Sequence, residues 1–576
     1  MAETQEQTGK DWKSISIARQ NEIRNAIPKS HCLSPTVIEG LQDSRNLISI
    51  PETCGILSQR ELEITSTPSI TKLLADIRNR VYTAVEVTMA FCKRASIAHQ
   101  LTNCLTEVLY DSALAQAQEL DKHLLVTGEP VGLLHGLPIS VKDHISIAGT
   151  RATSGLVSMA DNISDRDAYI IEILRKAGAV FYVKTTNPLC MLAMETHSNL
   201  FGRTVSPYNT NLSPGGSSGG EAALISLRGS LLGVGTDIGG SLRAPAAFSN
   251  IYTLKASTGR IPVAGMEWWL HPGMETVQCV IGPMAIGVDG LELFHEAALA
   301  SSPWLVEPSL VNKPWDKRVI VNGTILKPLR IGLMLNDGVV TPHPPILRSL
   351  KETAKALEEA GHIVIPWVPV DHKGMSELTT ATFFQDNAQP ARHLIKKSGE
   401  ELTPLVKFAL DGLQSKPLTV TESWDLTYRR NQYRLSYAKL WNESQIDAII
   451  CPAAPTVSPL HDTTKSWGYT LVFNLLDYST AVFPAGKVLD IDGADALPEG
   501  VDLDATYPKN SLEELNQVYS KLWFDKDQNG KVLGPERYKY APIGLQLVAR
   551  RYEEEKVLGI LRTVVEARRN GGLEAY

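Results

Sequence analysis

The chain has 576 residues, of which 43% are hydrophobic and 21% charged, and its formal net charge is -7. These values are typical of a globular protein with a large core, and no run of five Lys or Arg residues gives it a nucleic-acid footprint. The first residues lack the apolar segment of a secretory signal, and no apolar stretch is long enough to predict a membrane span. Seven scattered cysteines without a C-x-x-C pair favour reduced thiols and a cytoplasmic location.

The N-terminal part of the chain differs from the rest. Residues 1–66 are polar and interrupted by prolines at positions 28, 35 and 51. We expect an N-terminal extension with one or two helices there, followed by one large domain over residues 67–576. That domain opens with "ITKLLADIRNRVYTAVEVTMAFCKRASIAHQ" (70–100), a helical pattern whose apolar residues recur three and four apart. "DSALAQAQELDKHLL" (111–125) predicts a second amphipathic helix.

Strand candidates alternate with helices along this domain. "LPISV" (137–141) predicts a short buried strand, and "DAYIIEILRKAGAVFYVKTTNP" (167–188) predicts a helix, a stop at Gly178 and a strand. The same order recurs in "ILRSLKETAKALEEAGHIVIPWVPV" (346–370). Three more strands are predicted in "PLRIGLML", "IDAIICPAAP" and "APIGLQLVARR", whereas 260–340 and 485–540 are expected to be irregular. The alternation predicts an α/β fold with a mostly parallel or mixed sheet.

One stretch, "SPGGSSGGEAALISLRGSLLGVGTDIGGSLRAPAA" (213–247), places two glycine-flanked serines on either side of an apolar helical segment. It lacks the glycine–lysine pair of a phosphate loop. "GGSSG" fits the G-x-S-x-G pattern of a nucleophile elbow, with Ser217 as the nucleophile. Glycines and serines also make ordinary tight turns. Neither interpretation explains why a second cluster, "DIGGS", follows so closely.

Another interpretation makes Ser241, at the end of "DIGGS", the nucleophile. The glycines before it let a substrate carbonyl approach the backbone, and consecutive N–H groups there can form an oxyanion hole. Lys142 follows the buried "LPISV" strand, and a buried lysine loses its ammonium solvation and can act as a neutral base. A single lysine is more often a solvated surface charge. The histidines show no metal-binding H-E-x-x-H pattern, so no metal is expected.

Three segments in order resemble the amidase signature family: "GLPISVKD", "SPGGSSGGEAAL" and "GVGTDIGGSLRAPAA". "APIGLQLVARRYEEEKVL" is similar to the family's closing segment, and the resemblance covers about residues 67–565. Local details are most similar to fungal acetamidases and general amidases. The resemblance implies a catalytic domain over 67–576 with the amidase-signature fold, a mixed sheet covered by helices on both faces. It also implies hydrolysis of a carboxylic amide to the acid and ammonia or an amine, without a cofactor or metal.

The resemblance implies a triad on this chain. Ser241 would attack the amide carbonyl, Ser217 in a cis Gly216–Ser217 peptide would relay the proton, and Lys142 would be the terminal base. The implied oxyanion hole consists of the backbone N–H groups of Ile238, Gly239, Gly240 and Ser241. Supporting residues are Ser218, Asp237 and Arg243, and we expect the last two to brace the loop as an ion pair.

Further expectations concern the substrate pocket and the partners of the chain. Met191 and Gly216 are expected near the substrate, and His144 stands where many relatives carry asparagine or another polar residue. A small-molecule amide is the expected partner, with a homodimer implied by resemblance. Two alternatives stay open: a glutamine-hydrolysing amidotransferase-type subunit with partner subunits and tRNA, and a catalytically inactive amidase-like binding protein.

Overall fold

A computed structural model describes residues 11–41, 45–267, 273–322, 328–413, 416–489, 495 and 513–573. The strands are β1 (Leu105–Val108), β2 (Pro138–Lys142), β3 (Val180–Thr185), β4 (His197–Ser198), β5 (Gly202–Arg203), β6 (Leu232–Asp237), β7 (Tyr252–Lys255), β8 (Val280–Ala285), β9 (Arg330–Leu333), β10 (Ile363–Pro366), β11 (Ala448–Pro452), β12 (Thr480–Lys487) and β13 (Pro542–Val548).

Helices account for most of the remaining regular structure. They are α1 (Trp12–Ala26), α2 (Pro35–Gly40), α3 (Ile50–Thr53), α4 (Gln59–Thr65), α5 (Ile70–Arg78), α6 (Ala84–Thr102), α7 (Tyr110–Thr127), α8 (Tyr169–Lys176), α9 (Gly219–Ser226), α10 (Arg243–Phe248), α11 (Val288–Ala300), α12 (Lys317–Asn322), α13 (Pro344–Glu359), α14 (His372–Phe383), α15 (Gln389–Ser398), α16 (Pro404–Asp411), α17 (Val420–Ser444), α18 (Gly468–Leu475), α19 (Glu513–Phe524), α20 (Gly534–Arg537) and α21 (Glu554–Asn570). No helix in the described part of the chain is both long and apolar enough to cross a membrane.

The centre of the fold is a mixed sheet of eleven strands in the order β1-β3-β2-β6-β8-β7-β12-β13-β11-β9-β10. β2 runs parallel to both β3 and β6, and β9 runs parallel to β10 and β11, while the strands between these two groups pair antiparallel. The two short strands β4 and β5 form a separate pair. The predicted α/β class with a mixed sheet is confirmed, with helices packed around the sheet.

Local sequence signals place several of these elements. Both helix–glycine–strand units form as predicted, as α8 followed by β3 and α13 followed by β10. The long pattern over 70–100 divides into two helices, because Arg80 takes a left-handed conformation and Thr83 and Glu86 form a capping box that starts α6. The strands predicted around "LPISV", "RIGL", "AIICP" and "PIGLQLV" are β2, β9, β11 and β13.

Two expectations are wrong. Four α-helices, α1 to α4, lie within the described part of residues 1–66, where one or two were expected. Of the stretches expected to be irregular, 280–300 forms β8 and α11, and 485–540 contains α19 and α20. β8 has the sequence VIGPMA and is buried along its whole length, so it lacks the alternation of polar and apolar residues that marks a half-exposed strand.

The N-terminal helices pack onto the rest of the chain. Ile23, Leu33, Leu57 and Ile64 belong to the same buried hydrophobic cluster as residues of the central sheet. The Arg19 guanidinium is also buried and donates a 2.5 Å hydrogen bond to the Thr106 carbonyl on β1. The boundary between residues 66 and 67 stays a prediction from composition.

The two helix–glycine–strand units give a matched pair of substitutions. Gly178 and Gly361 both have positive φ, but a Cβ at Gly178 would lie 2.6 Å from the His135 Cα, whereas nothing lies within 4 Å of one at Gly361. Both alanine variants carry the strain of a left-handed residue, about 1–2 kcal/mol. Gly178→Ala must also displace backbone, so its melting temperature should fall clearly further than that of Gly361→Ala. Equal decreases would contradict this interpretation of Gly178.

Candidate active site

Two neighbouring parallel strands place the central residues of the site. β2 and β6 pair with Ser140 opposite Gly233, so their carboxyl ends lie side by side at one edge of the sheet. Lys142 is the last residue of β2, and Thr236 lies at the end of β6. In open α/β sheets, ligands bind outside the carboxyl ends of the strands. Strand pairing therefore brings a lysine and a threonine together at a position suited to a binding site.

The Lys142 side chain is fully buried and hydrogen-bonded. Its Nζ donates to Ser217 Oγ at 2.6 Å and to Thr236 Oγ1 at 2.9 Å. Burial lowers the pKa of Lys142 to about 7, against the opposing effect of nearby groups such as Asp237 and Glu221. Near neutral pH a large fraction of this amine is therefore unprotonated and able to accept a proton.

Three serines of the glycine-rich stretch, Ser217, Ser218 and Ser241, are linked through the loops that carry them. The Gly216–Ser217 peptide bond is cis, as the resemblance implies. The Ser218 N–H donates to the Ser241 carbonyl at 3.2 Å, and Ser218 Oγ donates to the Thr236 carbonyl at 3.4 Å. Ser218 thus joins the loop that carries Ser217 to the loop that carries Ser241 and to the end of β6.

A cavity opens above these side chains, and both Ser217 and Ser241 line it. Its other lining residues are His144, Met191, Leu192, Ala193, Met194, Thr236, Ile238, Gly239, Cys279, Phe383 and Trp467. Met191 is among them, and its contact with substrate stays a prediction. Gly216 is not among the lining residues, and a Cβ there would lie 2.7 Å from the Ala193 carbonyl oxygen. The structure thus places Gly216 against backbone, where only a glycine fits.

The loop that carries Ser241 is held by an ion pair between the end of β6 and the start of α10. Arg243 Nε and Nη2 each donate at 3.0 Å to the Asp237 carboxylate, and both side chains are fully buried. The carboxylate also accepts from the N–H groups of Gly240 at 2.9 Å and Leu242 at 3.1 Å. The predicted contact between Asp237 and Arg243 is present, and Asp237 binds the loop backbone directly as well.

This arrangement reduces the number of backbone N–H groups that are available to bind an oxyanion. The Gly240 N–H, which the resemblance assigns to the oxyanion hole, donates to Asp237 Oδ1 in this structure. Ile238, Gly239 and Ser241 line the cavity, and Gly240 does not. A Cβ at Gly240 would lie 2.2 Å from Thr470 Oγ1, and the φ of Gly240 is +131°. Gly240 is thus required for the turn of the loop.

The comparisons with known proteins agree on one family. The family model described as Amidase matches residues 86–558. The chain is 37% identical to an acetamidase of Emericella nidulans over 96% of this chain and 97% of that protein. It is also 37% identical to an acetamidase of Aspergillus oryzae over 96% of this chain and 98% of the relative.

The chain belongs to the amidase signature family. Among solved structures, a fatty acid amide hydrolase superimposes with a TM-score of 0.87 at 32% identity, covering 97% of this chain and 95% of that one. A bacterial aryl acylamidase of the family shares the fold at 20% identity, with a TM-score of 0.67 over 86% of this chain and 95% of that chain. This amidase is a hydrolase that acts on linear amides.

A buried carboxyl group also lies close to the lysine of this amidase. Glu221, on α9, accepts hydrogen bonds from Ser140 Oγ at 2.5 Å and Thr185 Oγ1 at 2.8 Å. Burial raises the pKa of Glu221 to about 7, against the opposing effect of those two hydrogen bonds. A Cβ at Gly233 would lie 1.9 Å from Glu221 Oε2, so the glycine on β6 makes room for the carboxyl group.

Sequence reasoning missed several residues of the site. Thr236 stands beside Asp237 within the quoted motif, and a hydroxyl at the end of a strand next to the lysine strand was a usable signal. Phe383 and Trp467 line the cavity from α14 and the start of α18, far from the motifs in sequence. No local pattern marks them. Within the described residues, no group of three or more His, Cys, Asp or Glu side chains could hold a metal ion.

The Asp237–Arg243 pair predicts a coupled loss of stability and rate. Asp237→Asn leaves the buried Arg243 charge without its partner, which costs about 3–5 kcal/mol of unfolding free energy. The melting temperature and kcat should fall together, because the same carboxylate holds the Gly240 and Leu242 amides. Asp316→Asn, at a pair in which Arg318 is 83% exposed, is the matched control and should change neither.

The same pair fixes the sign of a pH effect. Burial acts to raise the pKa of Asp237, but the Arg243 charge and the hydrogen bonds from Arg243 and Asn474 outweigh it, and the pKa lies well below its ordinary value. The stabilisation is therefore fully present above the unfolded-state pKa of about 4 and is lost only as the pH falls below it.

The Asp237→Asn variant has a contradicting outcome. An unchanged melting temperature with a reduced kcat would indicate that Asp237 has a direct chemical role.

Proposed function

We propose that this amidase hydrolyses a carboxylic amide through an acyl-enzyme on Ser241, with Ser217 as proton relay and Lys142 as terminal base. The observation that carries the proposal is the 2.6 Å hydrogen bond from Lys142 Nζ to Ser217 Oγ, at a cavity that Ser241 also lines. The lysine is fully buried, and its pKa of about 7 suits a base at neutral pH. The three residues match the family's motifs one by one.

In the proposed acylation, two proton transfers lead to Lys142, and two more lead back to the leaving nitrogen. Ser241 Oγ attacks the amide carbonyl and loses its proton to Ser217, whose own hydroxyl proton passes to the neutral amine of Lys142. The resulting ammonium returns a proton through Ser217 to the leaving nitrogen, and ammonia or an amine departs. Water then attacks the acyl-enzyme by the same route, which releases the carboxylic acid and regenerates Ser241.

The oxyanion of the tetrahedral intermediate needs preorganised donors. We assign it to the N–H groups of Ile238, Gly239 and Ser241, since these residues line the cavity. The Gly240 N–H is engaged by Asp237 and holds the loop in shape. Each oxyanion donor is worth about a hundredfold to a thousandfold in kcat.

The walls of the cavity favour an uncharged amide. Its lining side chains are mainly apolar, and none among the described residues is Asp, Glu, Lys or Arg. Glutamine carries two charged groups on its α-carbon, and a site that binds it must pair them. An acetamidase-like activity on a simple aliphatic or aryl amide therefore fits better than an amidotransferase-type subunit. An inactive binding protein would have no use for the hydrogen-bonded lysine and serines.

The location and the oligomeric state of the protein are also part of this proposal. All seven cysteines are free thiols, which supports a reducing compartment such as the cytoplasm. A homodimer is implied by family resemblance, and light scattering on the purified chain would establish the oligomeric state.

The first test separates Ser241 from Ser217. The purified chain alone should release ammonia from acetamide and benzamide but not from glutamine. A fluorophosphonate should label the protein, and peptide mass mapping should place the adduct on Ser241. Ser241→Ala should abolish both activity and labelling. Ser217→Ala should slow labelling strongly yet leave the adduct on Ser241, because the relay is not consumed.

Ser226→Ala is the matched control, since Ser226 lies on α9 and does not line the cavity. Its labelling should match that of the unaltered protein. An adduct on Ser217 in the unaltered protein would refute the triad assignment and favour a nucleophile elbow. Turnover of glutamine at a rate comparable to acetamide would favour the amidotransferase-type alternative.

The second test concerns the protonation of Lys142. The base must be neutral, so kcat/KM should rise with pH on the acid side, with a midpoint near the pKa of about 7. Lys142→Ala should lower kcat by about two to four powers of ten. Lys142→Arg should not restore it, because a guanidinium stays protonated.

Lys184→Met is the control for this test. Lys184 is also fully buried and donates to the Arg151 carbonyl, but it does not line the cavity. The variant should lose stability while its acid limb keeps the same midpoint. Near-normal turnover by Lys142→Ala would remove Lys142 from the mechanism.

A further inference from the structure

His144 lies just beyond the end of β2, and its ring contacts Thr236 and Glu267. Its Nε2 lies 2.9 Å from Thr236 Oγ1, and its Nδ1 lies 3.2 Å from the Glu267 carbonyl oxygen. The Glu267 N–H in turn donates to the His144 carbonyl at 2.9 Å, and the neighbouring residues Ile145 and Met266 form a bridge. The backbone therefore fixes both the position of the ring and the side that faces the carbonyl.

These contacts determine where the ring proton lies. A carbonyl oxygen can only accept, so Nδ1 carries the hydrogen. Burial, and then the charge of Lys142, hold the pKa of His144 well below its ordinary value, so the ring is neutral. Nε2 is then an acceptor, and the hydrogen between it and Thr236 belongs to the threonine hydroxyl.

The direction of that hydrogen bond sets what Thr236 can offer to Lys142. A threonine hydroxyl has one hydrogen, and His144 uses it. Only oxygen lone pairs remain for Lys142 Nζ, 2.9 Å away, so the amine must donate to Thr236. In the neutral amine, one N–H then points at Thr236 and the nitrogen lone pair is left for Ser217, 2.6 Å away.

We propose that His144 is a positioning residue that fixes the direction of the hydrogen bonds from Glu267 to Lys142 and so keeps the lysine lone pair aimed at Ser217. The proposal rests on the proposed function, because it assumes that Lys142 is the base. Without an acceptor at Nε2, the Thr236 hydroxyl can turn and donate to the lysine lone pair. It would then compete with the proton that Ser217 must deliver.

Several charged or titratable groups face this chain of hydrogen bonds. Lys142 is near Cys279, Asp237, Glu221 and Asp143, and each of these favours its ammonium form. His144 faces Lys142 and Lys184, and both disfavour a charged ring. A neutral substitution at His144 leaves these groups in place. A shift in the pH profile would therefore report a change in the direction of the hydrogen bond between Thr236 and Lys142.

The test is a double-mutant comparison of His144→Leu and Thr236→Val. His144→Leu should lower kcat by about 10- to 100-fold with KM within twofold, the scale of one misdirected hydrogen bond at a buried charged group. Its acid limb should move to lower pH, because a donating Thr236 favours the neutral amine. Thr236→Val alone should cause a smaller loss.

The decisive variant carries both changes. Removing the hydroxyl also removes the competing donor, so His144→Leu/Thr236→Val should be several-fold more active than His144→Leu alone. A purely structural role for His144 predicts additive losses and an unmoved acid limb, and that result would overturn the proposal. His144→Gln, which keeps an acceptor of similar reach, should retain most of the kcat.

A measurement on the unaltered protein covers the case in which the variants do not fold. Neutron diffraction should show the ring hydrogen on Nδ1 and the Thr236 hydroxyl hydrogen directed at Nε2, and a hydrogen on Nε2 would overturn the proposal. Failure of the role proposed for His144 can be distinguished from failure of the proposed triad. An active Lys142→Ala variant would refute the triad, whereas an inactive one together with a failed rescue would refute only the role of His144.

Discussion

The chemistry proposed for this amidase depends on one lysine that burial removes from water. Lys142 is fully buried at the end of a strand, and the cost of desolvating an ammonium lowers its pKa from the range of ordinary lysines to about 7. The shift is limited because Asp237, Glu221 and Asp143 lie near enough to favour the charged form. A less buried lysine would stay protonated at neutral pH, and a more isolated one would be too weak a base.

The acidic groups near Lys142 differ in how far they are ionised, and this limits how strongly they favour its ammonium form. Asp237 is ionised, and its charge is matched by the bidentate contact with Arg243. Glu221 sits between two hydroxyl donors and has a raised pKa of about 7, so it adds only part of a negative charge near neutral pH. The pKa of His144 is held well below its ordinary value, so the ring is neutral, and its proposed role is to set hydrogen-bond direction. The two carboxyl groups therefore act on the pKa of Lys142 through their charge, whereas the proposed effect of His144 is on the direction of its hydrogen bonds.

The cavity adds a second constraint, which concerns the substrate and not the catalyst. Met191 and Met194 from one stretch, Phe383 from α14 and Trp467 from the start of α18 give the cavity an apolar wall. Low polarity strengthens the hydrogen bonds of the lysine and those of the proposed oxyanion hole. It also disfavours charged substituents, which supports the proposal of a neutral amide as the substrate.

The sequence by itself determined the family, the α/β class, the helix–glycine–strand units and the positions of Lys142, Ser217 and Ser241. These follow from short stretches in which glycine conformation, capping and apolar spacing act locally. The buried strand β8 was missed because a strand covered on both faces lacks alternation. Only the tertiary structure decided the strand order, the Thr236–His144 contact and the wall formed by Phe383 and Trp467. Those features depend on pairings between residues tens to hundreds of positions apart, and strand register and burial, which no local pattern encodes, set which of them meet. The contact of the Gly240 N–H with Asp237 spans only three positions, but its direction depends on the Arg243 and Asn474 side chains that hold the carboxylate.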